Sequence, residues 1–262
     1  RWVYFNMDDA LVGGYEPAKV ALRRAVSMGY NAEEALRVLQ KGRGVLAQSL
    51  VPPGIAGHDP GWKLGAQVYD PAASRALLDR FGYRDRDGDG FRETPDGKPL
   101  VLERWSAPTS AQRQADELWK KNMDAIGLKI AIRKDKLPEL RKMARAGRIP
   151  FASDGWNADY PDAENFMQLL YGPNAGQENQ SRFRLPEYDR LYQEARKLPD
   201  GRERTAIFGK MQELVVAYAP MRFTQHVVED HAWHARVKNY RAHPIRQFSF
   251  SYYDVDGPVP GR

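Results

Sequence analysis

Polar and aromatic residues cluster between Ser153 and Asp162, directly after a predicted strand. The segment supplies the indole ring of Trp156, the amide of Asn157 and the carboxylate of Asp159. A carboxylate buried in a cleft would bind a cationic group, such as an ammonium, through a charge-assisted hydrogen bond. Residues of these types also form ordinary turns and helix caps, so a purely structural role is the alternative interpretation.

A second group of carboxylates has the spacing of a calcium-binding loop. Asp85, Asp87 and Asp89 stand at loop positions 1, 3 and 5, Gly90 at position 6 and Asp96 at position 12. The usual glutamate at the last position is replaced by aspartate, and the residues that follow predict a strand instead of an exiting helix. A structural calcium site at these four aspartates and a solvated turn are therefore both retained as interpretations.

Other kinds of active site receive little support from the sequence. Cysteine is absent, which excludes thiol nucleophiles, disulfides, zinc-thiolate sites and iron-sulfur clusters. His231 and His234 have a spacing that suits a metal only on a helix, and no helix is predicted there. The chain has no Gly-x-Ser-x-Gly elbow and no phosphate-binding glycine loop. A hydrolase that uses Asp159 and Asp162, with Glu164 nearby, remains an alternative function.

The excess of positive charge is concentrated in one stretch of the chain. Lys and Arg number 40 against 34 Asp and Glu, a formal net charge of +6, and residues 129–148 hold eight basic and two acidic residues. Such a run could bind an acidic partner. No aromatic residue interleaves with it to stack on bases, so we expect a solvated helix face and no nucleic-acid partner.

Length and composition are those of an ordinary folded protein. The chain has 262 residues, of which 42% are hydrophobic and 11% aromatic. No stretch approaches 18 consecutive apolar residues, and no signal-peptide pattern stands at the start. Residues 1–7 lack an initiator methionine and have the pattern of a strand, which predicts a piece of a longer protein whose missing N-terminal part would carry any signal peptide.

The hydrophobic period predicts the elements that position these residues. Between residues 100 and 156 it switches in the order strand, helix, strand, helix, strand. Short connections of this kind favour parallel strands with right-handed crossovers. In open α/β sheets ligands bind beyond the carboxyl ends of the strands, so the segment 153–162 is where a site is expected. The five elements are predicted at 100–105, 115–127, 128–133, 138–147 and 149–156.

The flanking regions are predicted to be mostly helical. Asn31 caps a helix with Glu34, and Asp70 opens another that ends at Gly82. Apolar residues at helical spacing also predict amphipathic helices around 188–195 and 207–218. After Pro220 the helical period disappears. The two remaining strands are predicted at 221–228 and 247–253.

Several short phrases, in order along residues 1 to about 245, resemble the family 5 extracellular solute-binding proteins, the peptide- and nickel-binding components of bacterial ABC importers. Each of these short motifs alone is weak evidence for the family, but their order along the chain is specific to it. They are Tyr4-Phe5-Asn6-Met7, the helix at 20–30, Gly42-Arg43-Gly44, Val51-Pro52-Pro53-Gly54, Tyr69-Asp70-Pro71, Ala76-Leu77-Leu78, Phe81-Gly82-Tyr83, the segment 155–162, Ser181-Arg182-Phe183, Pro186-Glu187-Tyr188-Asp189 and Ala219-Pro220.

The resemblance implies an α/β fold of the type II periplasmic-binding-protein kind, a two-lobed clamshell of which this chain supplies the C-terminal half. Residues 8–221 would form the second lobe. Residues 1–7 and 222–262 would return to the first lobe, most of which is absent from the sequence.

The resemblance also implies a function without catalysis. Such a protein captures a small solute, here a peptide or another amine-bearing molecule, in the periplasm or outside the cell, and delivers it to an ABC permease in the inner membrane. The resemblance implies no cofactor, and the structural calcium ion considered above depends on the aspartate spacing alone.

Site residues are carried over by position. Asp159 resembles the aspartate that binds the ligand's α-amino group in peptide-binding members, and Trp156, Asn157 and Ala158 resemble the strand end that lines the cleft. Dipeptide-binding relatives hold the ligand carboxylate with an arginine after the strand that here ends at Trp105. That loop is shorter in this sequence, and the candidate is Arg113 in the start of the next helix.

Overall fold

A five-stranded mixed sheet forms the centre of the computed structural model, which describes residues 1–63, 65–241, 245 and 252–257. The order of the strands in the sheet is β4-β3-β5-β1-β6. Strand β3 is parallel to both β4 and β5, whereas β1 is antiparallel to β5 and β6. The strands are β1 (Trp2–Phe5), β3 (Val101–Ser106), β4 (Lys129–Lys134), β5 (Phe151–Asp154) and β6 (Met221–Phe223).

Two further pairs of short strands and eight α-helices complete the described part of the chain. Strand β2 (Val45–Leu46) pairs with β7 (Gln225–His226), and β8 (Val237–Lys238) pairs with β9 (Asp254–Val255). The helices are α1 (Pro17–Gly29), α2 (Ala32–Leu39), α3 (Pro71–Arg80), α4 (Ser110–Asp124), α5 (Leu137–Arg145), α6 (Glu164–Met167), α7 (Pro186–Ala195) and α8 (Arg202–Tyr218).

The predicted alternation of strands and helices between residues 100 and 156 is confirmed. Strands β3, β4 and β5 alternate with α4 and α5, and all three strands are parallel. In β3 every second residue is buried, namely Leu102, Arg104 and Ser106. This period of two places one face of the strand against the core, and that face includes the polar side chains of Arg104 and Ser106.

Both faces of the sheet are covered by hydrophobic side chains. Strand β1 shows this directly, because Trp2 and Tyr4 belong to one apolar cluster, and Val3 and Phe5 belong to another. Helices α1 and α4 contribute to the cluster that contains Phe5, whereas α7 and α8 contribute to the cluster on the opposite face. The carboxyl end of β5 lies between these two layers.

Helix boundaries follow the predicted caps. The side chain of Asn31 accepts a hydrogen bond from the backbone N–H of Glu34 (2.9 Å), and the side chain of Asp70 accepts one from that of Ala73 (2.8 Å). Each of these caps satisfies a donor that has no partner inside its helix. No helix among the described residues is both long enough and apolar enough to cross a membrane.

The strands near the C-terminus differ from the prediction. The run predicted at 221–228 divides into β6 and β7, because Thr224 lies between them and β7 leaves the main sheet to pair with β2. Most of the strand predicted at 247–253 lies outside the described residues, and the described residues Tyr252 and Tyr253 precede β9.

Residues 1–7 and 222–262 were predicted to return to the first lobe, but parts of both segments belong to the central sheet. Strand β1 lies between β5 and β6, and its four residues are all buried. Phe223, also assigned to that path, pairs with Trp2. The boundaries at residues 8 and 221 therefore do not coincide with the edge of the sheet, and the division of the chain between two lobes stays a prediction.

Candidate functional site

A cavity of about 560 Å³ lies at the carboxyl end of β5. Three parts of the chain line it: the segment that follows β5, the segment between Ser49 and Ile55, and the region of β6 and β7. The aromatic rings of Trp2, Trp156 and Phe223 contribute apolar walls. The cavity is therefore where the parallel strands predict a ligand site.

The structure brings three of the predicted ligand-binding residues to this cavity. Trp156, Asn157 and Ala158 all line it. Asp159 follows them directly and is exposed, although the sequence interpretation placed this carboxylate in a buried environment. Arg113 is exposed on α4 and is not among the residues that line the cavity. The structure therefore does not bring it together with the predicted ligand-binding residues of the segment after β5.

Asn165 connects the predicted residues and was not identified from the sequence. It lies in α6, is fully buried, and its Oδ1 accepts hydrogen bonds from Trp156 Nε1 (2.9 Å) and from the Asp159 backbone N–H (3.0 Å). Its Nδ2 donates to Asp159 Oδ2 (3.0 Å). One amide group thus holds the indole and the carboxylate together.

The remaining carboxylates of this segment are engaged by basic and phenolic groups. Asp162 forms an ion pair with Arg204 and accepts a hydrogen bond from the Glu164 backbone N–H (2.7 Å). Glu164 accepts hydrogen bonds from the hydroxyl groups of Tyr160 and Tyr192. Burial, together with the neighbouring Glu164 carboxylate, raises the pKa of Tyr192 well above its usual value, so this phenol stays a donor. These contacts stabilise the loop.

The loop at 51–57 forms another wall of the cavity. Its backbone is hydrogen-bonded to the segment that follows β5. The Ala56 N–H donates to the Pro161 carbonyl (3.2 Å), and the Ala163 N–H donates to the Ala56 carbonyl (2.8 Å). Pro52, Pro53 and Gly54 precede this contact and line the cavity. The Val51-Pro52-Pro53-Gly54 phrase and the segment 155–162 therefore meet at one site.

Histidine residues complete the wall beside β7. Burial lowers the pKa of His226 to about 4, so its imidazole is neutral near pH 7. His231 also lines the cavity, is exposed and lies 3.9 Å from Glu229. Neither histidine belongs to a group of three potential metal ligands among the residues that the structure describes.

The aspartate-rich loop lies apart from this cavity and has its own geometry. Carboxylate oxygens of Asp85, Asp87 and Asp89 lie within 4.8 Å of one another, and all three residues are exposed. The Asp85 carboxylate also accepts hydrogen bonds from the backbone N–H groups of Gly88 (2.7 Å) and Gly90 (3.0 Å). Oxygen ligands of this kind suit Ca²⁺, and calcium binding stays a prediction.

Asp96 does not join this cluster, contrary to the prediction from the calcium-loop spacing. Its carboxylate forms an ion pair with Lys98 (2.7 Å) and accepts a hydrogen bond from the Thr94 hydroxyl (2.5 Å). These contacts lower the pKa of Asp96 to about 2. Asp96 lies in a turn at 94–97 that is closed by a hydrogen bond from the Gly97 N–H to the Thr94 carbonyl (2.8 Å).

The basic residues of 129–148 are all exposed. Three of them pair with acidic groups elsewhere in the chain: Lys129 with Asp89 (3.9 Å), Arg133 with Glu103 (2.7 Å) and Lys134 with the buried Asp116. The basic side chains of residues 129–148 are therefore exposed as expected for a solvated surface.

Comparison with known families and proteins places the chain in context. The family model for bacterial extracellular solute-binding proteins, family 5 (middle region), matches residues 1–178. Heme-binding protein A of Haemophilus influenzae is 29% identical over 239 residues, which cover 91% of this chain and 42% of that protein. The dipeptide-binding protein of Escherichia coli is 23% identical over 245 residues, covering 90% of this chain and 43% of that protein.

Solved structures share the fold. An oligopeptide-binding protein from Bacillus subtilis, in complex with a nonapeptide, has a TM-score of 0.84 at 14% identity and covers 98% of this chain and 50% of its own. A dipeptide-binding protein from Pseudoalteromonas, in complex with Met-Leu, has a TM-score of 0.80 at 22% identity, with coverages of 97% and 48%. The chain therefore spans about half the length of the relatives that it matches.

Proposed function

The chain belongs to the bacterial extracellular solute-binding proteins of family 5, and on that basis we propose that it forms one half of the ligand site of an ABC-importer binding component. Its fold is that of type II periplasmic binding proteins. The observation that carries the proposal is the cavity at the carboxyl end of β5, whose wall includes Trp156 and its two following residues.

The proposed ligand is a peptide or another molecule with a free amino group. Asp159 supports this choice, because its carboxylate is exposed beside the cavity and Oδ1 has no hydrogen-bond partner among the described residues. An ammonium group would form a charge-assisted hydrogen bond there. Trp2, Trp156 and Phe223 offer apolar contact to the rest of the ligand. Relatives named as dipeptide- and di/tripeptide-binding proteins give the same indication.

In the proposed mechanism the protein captures its ligand without chemical change. The other lobe, most of which lies outside this chain, would close over the cavity and exclude water, which strengthens the contact with Asp159. Closure requires that the ligand bind the closed state better than the open one. The closed form would then deliver the ligand to a membrane permease, with the protein in the periplasm or outside the cell.

The contacts of the Asp162 and Glu164 carboxylates support a non-catalytic role. Asp162 is paired with Arg204, and Glu164 is held by two tyrosines. The hydrolase alternative needs two carboxylates that are free to act as acid and base across a scissile bond. The named relatives are binding proteins. We therefore assign Asp162 and Glu164 to the support of the loop.

The first experiment is native mass spectrometry of the full-length protein, purified without denaturation. A small molecule that leaves on unfolding is the expected result, and its mass would distinguish a peptide from other solutes. Recovered protein with no bound molecule would then be screened with tripeptides by calorimetry. Turnover of a peptide or glycoside substrate would contradict the proposal.

The amine contact is tested by Asp159→Asn, which retains the shape of the side chain and removes its charge. We expect the affinity for a peptide with a free amino group to fall about a hundredfold, because a charge-assisted contact inside a closed site is lost. Asp124→Asn is the control, since Asp124 is exposed on α4 and pairs with Lys120. Equal affinities of wild-type protein and Asp159→Asn in calorimetry would refute the role of this carboxylate.

A further inference from the structure

Asn165 is the residue through which the two chemically different parts of the site are joined. We infer that Asn165 is a positioning residue for ligand recognition: it fixes the Asp159 carboxylate relative to the Trp156 indole. The inference rests on the proposed function, since it assigns a role within that same site. It is carried by three hydrogen bonds of 2.9–3.0 Å from one fully buried side chain.

The chemistry of the three contacts selects an amide. Oδ1 of Asn165 accepts from two N–H donors, the Trp156 indole and the Asp159 backbone, whereas Nδ2 donates to Asp159 Oδ2. A carboxylate at this position would retain the acceptor but lose the donor, and it would repel Asp159. An apolar residue would lose all three contacts and leave buried polar groups without partners.

The support beneath Asn165 makes this arrangement stiff. Its backbone N–H donates to the Asp162 carbonyl (3.1 Å), and its own carbonyl accepts from Gln168 Nε2 (3.2 Å). The Asp162 side chain is in turn paired with Arg204 from α8. The position of the amide is therefore set by α6 and by Asp162 at the end of the loop, which Arg204 of α8 holds in place.

The consequence is a carboxylate with one restrained and one available oxygen. Oδ2 of Asp159 is held by Asn165, while Oδ1 has no partner among the described residues. A group held in place before binding loses less conformational entropy when the ligand arrives. Without Asn165, Asp159 would be free to sample other rotamers in solvent, and the indole would lose its polar anchor.

Two substitutions at this position in the full-length protein separate the contacts. Asn165→Ala removes all three hydrogen bonds, and we expect the affinity for amine-bearing peptides to fall about tenfold to a hundredfold. Asn165→Asp retains an acceptor for Trp156 but opposes Asp159. Its affinity, measured relative to wild-type protein at each pH, should recover as the pH falls from about 8 to about 5, because a proton shared between the two carboxyl groups restores a hydrogen bond.

The matched control is Asn179, another fully buried asparagine. Its side chain donates to the carbonyls of Tyr171 (3.0 Å) and Phe183 (2.9 Å) and accepts from the Ser181 hydroxyl (2.8 Å), and Asn179 does not line the cavity. Asn179→Ala should lower the melting temperature about as much as Asn165→Ala does. It should leave the ligand affinity and its pH profile unchanged.

The structural readout is the fluorine spectrum of protein labelled with 5-fluorotryptophan, in which Trp156→Phe identifies the Trp156 signal. Asn165→Ala should shift or broaden that signal, Asn165→Asp should largely preserve it, and Asn179→Ala should leave it in place. The binding probe is a tryptic casein digest, offered in native form and after N-acetylation, with retained peptides identified by mass spectrometry.

The outcomes separate the two proposals. If wild-type protein retains no peptide from the digest, the peptide proposal fails, and the Trp156 signal alone decides whether Asn165 positions the site. If peptides are retained but Asn165→Ala binds them as wild-type protein does, the inference about Asn165 is wrong. It is equally wrong if Asn179→Ala reduces the affinity to the same degree, since loss of stability would then explain the effect.

Discussion

Arg104 on β3 and Asp116 on α4 form a buried ion pair. Arg104 Nε lies 3.0 Å from Asp116 Oδ1, and the two side chains are 1% and 4% exposed. Arg104 also donates to Ser153 Oγ (2.9 Å) on β5, the first residue of the segment 153–162. A cation removed from water in this way is tolerated only with a partner close by.

Asp116→Ala is therefore expected to lower the free energy of unfolding by about 3–5 kcal/mol, because it leaves the Arg104 guanidinium buried without its carboxylate. Denaturation by urea measures the change. The double substitution of Arg104 and Asp116 by leucine should cost less than Asp116→Ala. Asp124→Ala, which breaks an exposed pair with Lys120, is the control and should cost under about 0.5 kcal/mol. A similar small cost for Asp116→Ala would contradict the argument.

At the scale of single residues the sequence predicted only part of the site. Trp156 and Asn157 were found because they come directly after a strand of a parallel sheet, whereas Ala158 came from the resemblance to the family. Asn165 was missed because a buried asparagine in a short helix has no local signature, and its role appears only when the chain folds back on the loop. Asp96 was misassigned, since loop spacing does not reveal that Lys98 and Thr94 hold its carboxylate.

At the scale of elements, periodicity predicted the strands and helices that have one apolar face. Strands β3 to β5 and helices α4 and α5 followed from it directly. It failed where pairing partners decide the outcome: the run at 221–228 bends at Thr224 because β7 pairs with β2, far away in the sequence. Local pattern contains no information about that partner.

Gly57 determines how closely the loop at 51–57 approaches the site segment. It has a φ of +88°, and a Cβ there would lie 2.7 Å from Ala163 Cβ and 3.0 Å from the Phe208 ring. We expect Gly57→Ala to cost about 2–5 kcal/mol of stability, through left-handed backbone strain and overpacking together. Gly54 is the matched control, because its φ is +85° but nothing lies within 4 Å.

Gly54→Ala should accordingly cost only about 1–2 kcal/mol, the strain of the backbone alone. Urea denaturation of both variants isolates the packing contribution as the difference between them. Equal costs would show that the loop moves freely away from Ala163 and does not form a fixed wall of the cavity.

Calcium binding by the aspartate-rich loop can be tested through the thermal stability of the protein. If Ca²⁺ binds, the melting temperature should rise by about 5 °C at a hundredfold excess over the dissociation constant, and EGTA should reverse the rise. Asp87→Asn should abolish the shift. Asp96→Asn should leave it intact, because Asp96 lies outside the cluster of Asp85, Asp87 and Asp89. Absence of any shift would leave the loop as a solvated turn.

At the scale of the whole molecule, the chain provides a folded α/β unit with its cavity on one side. Both faces of the sheet are buried within the chain itself, so the unit has its own core. The cavity, however, is lined by exposed groups as well, including Val227, Glu229 and His231. Since the chain spans about half of the length of its relatives, the remaining wall of the site is expected to come from the other lobe.

This arrangement predicts that the chain alone folds but binds its ligand poorly. A tight small-molecule site buries most of the ligand surface, and a site with one wall leaves much of that surface in water. A peptide identified from the full-length protein should therefore bind residues 1–262 at least about a hundredfold more weakly, in calorimetry on protein whose fold is verified by circular dichroism. Asp159→Asn in the isolated chain should then have little further effect, since an exposed ion pair contributes little. Equal affinity of the isolated chain and the full-length protein would show instead that this unit contains the complete binding site.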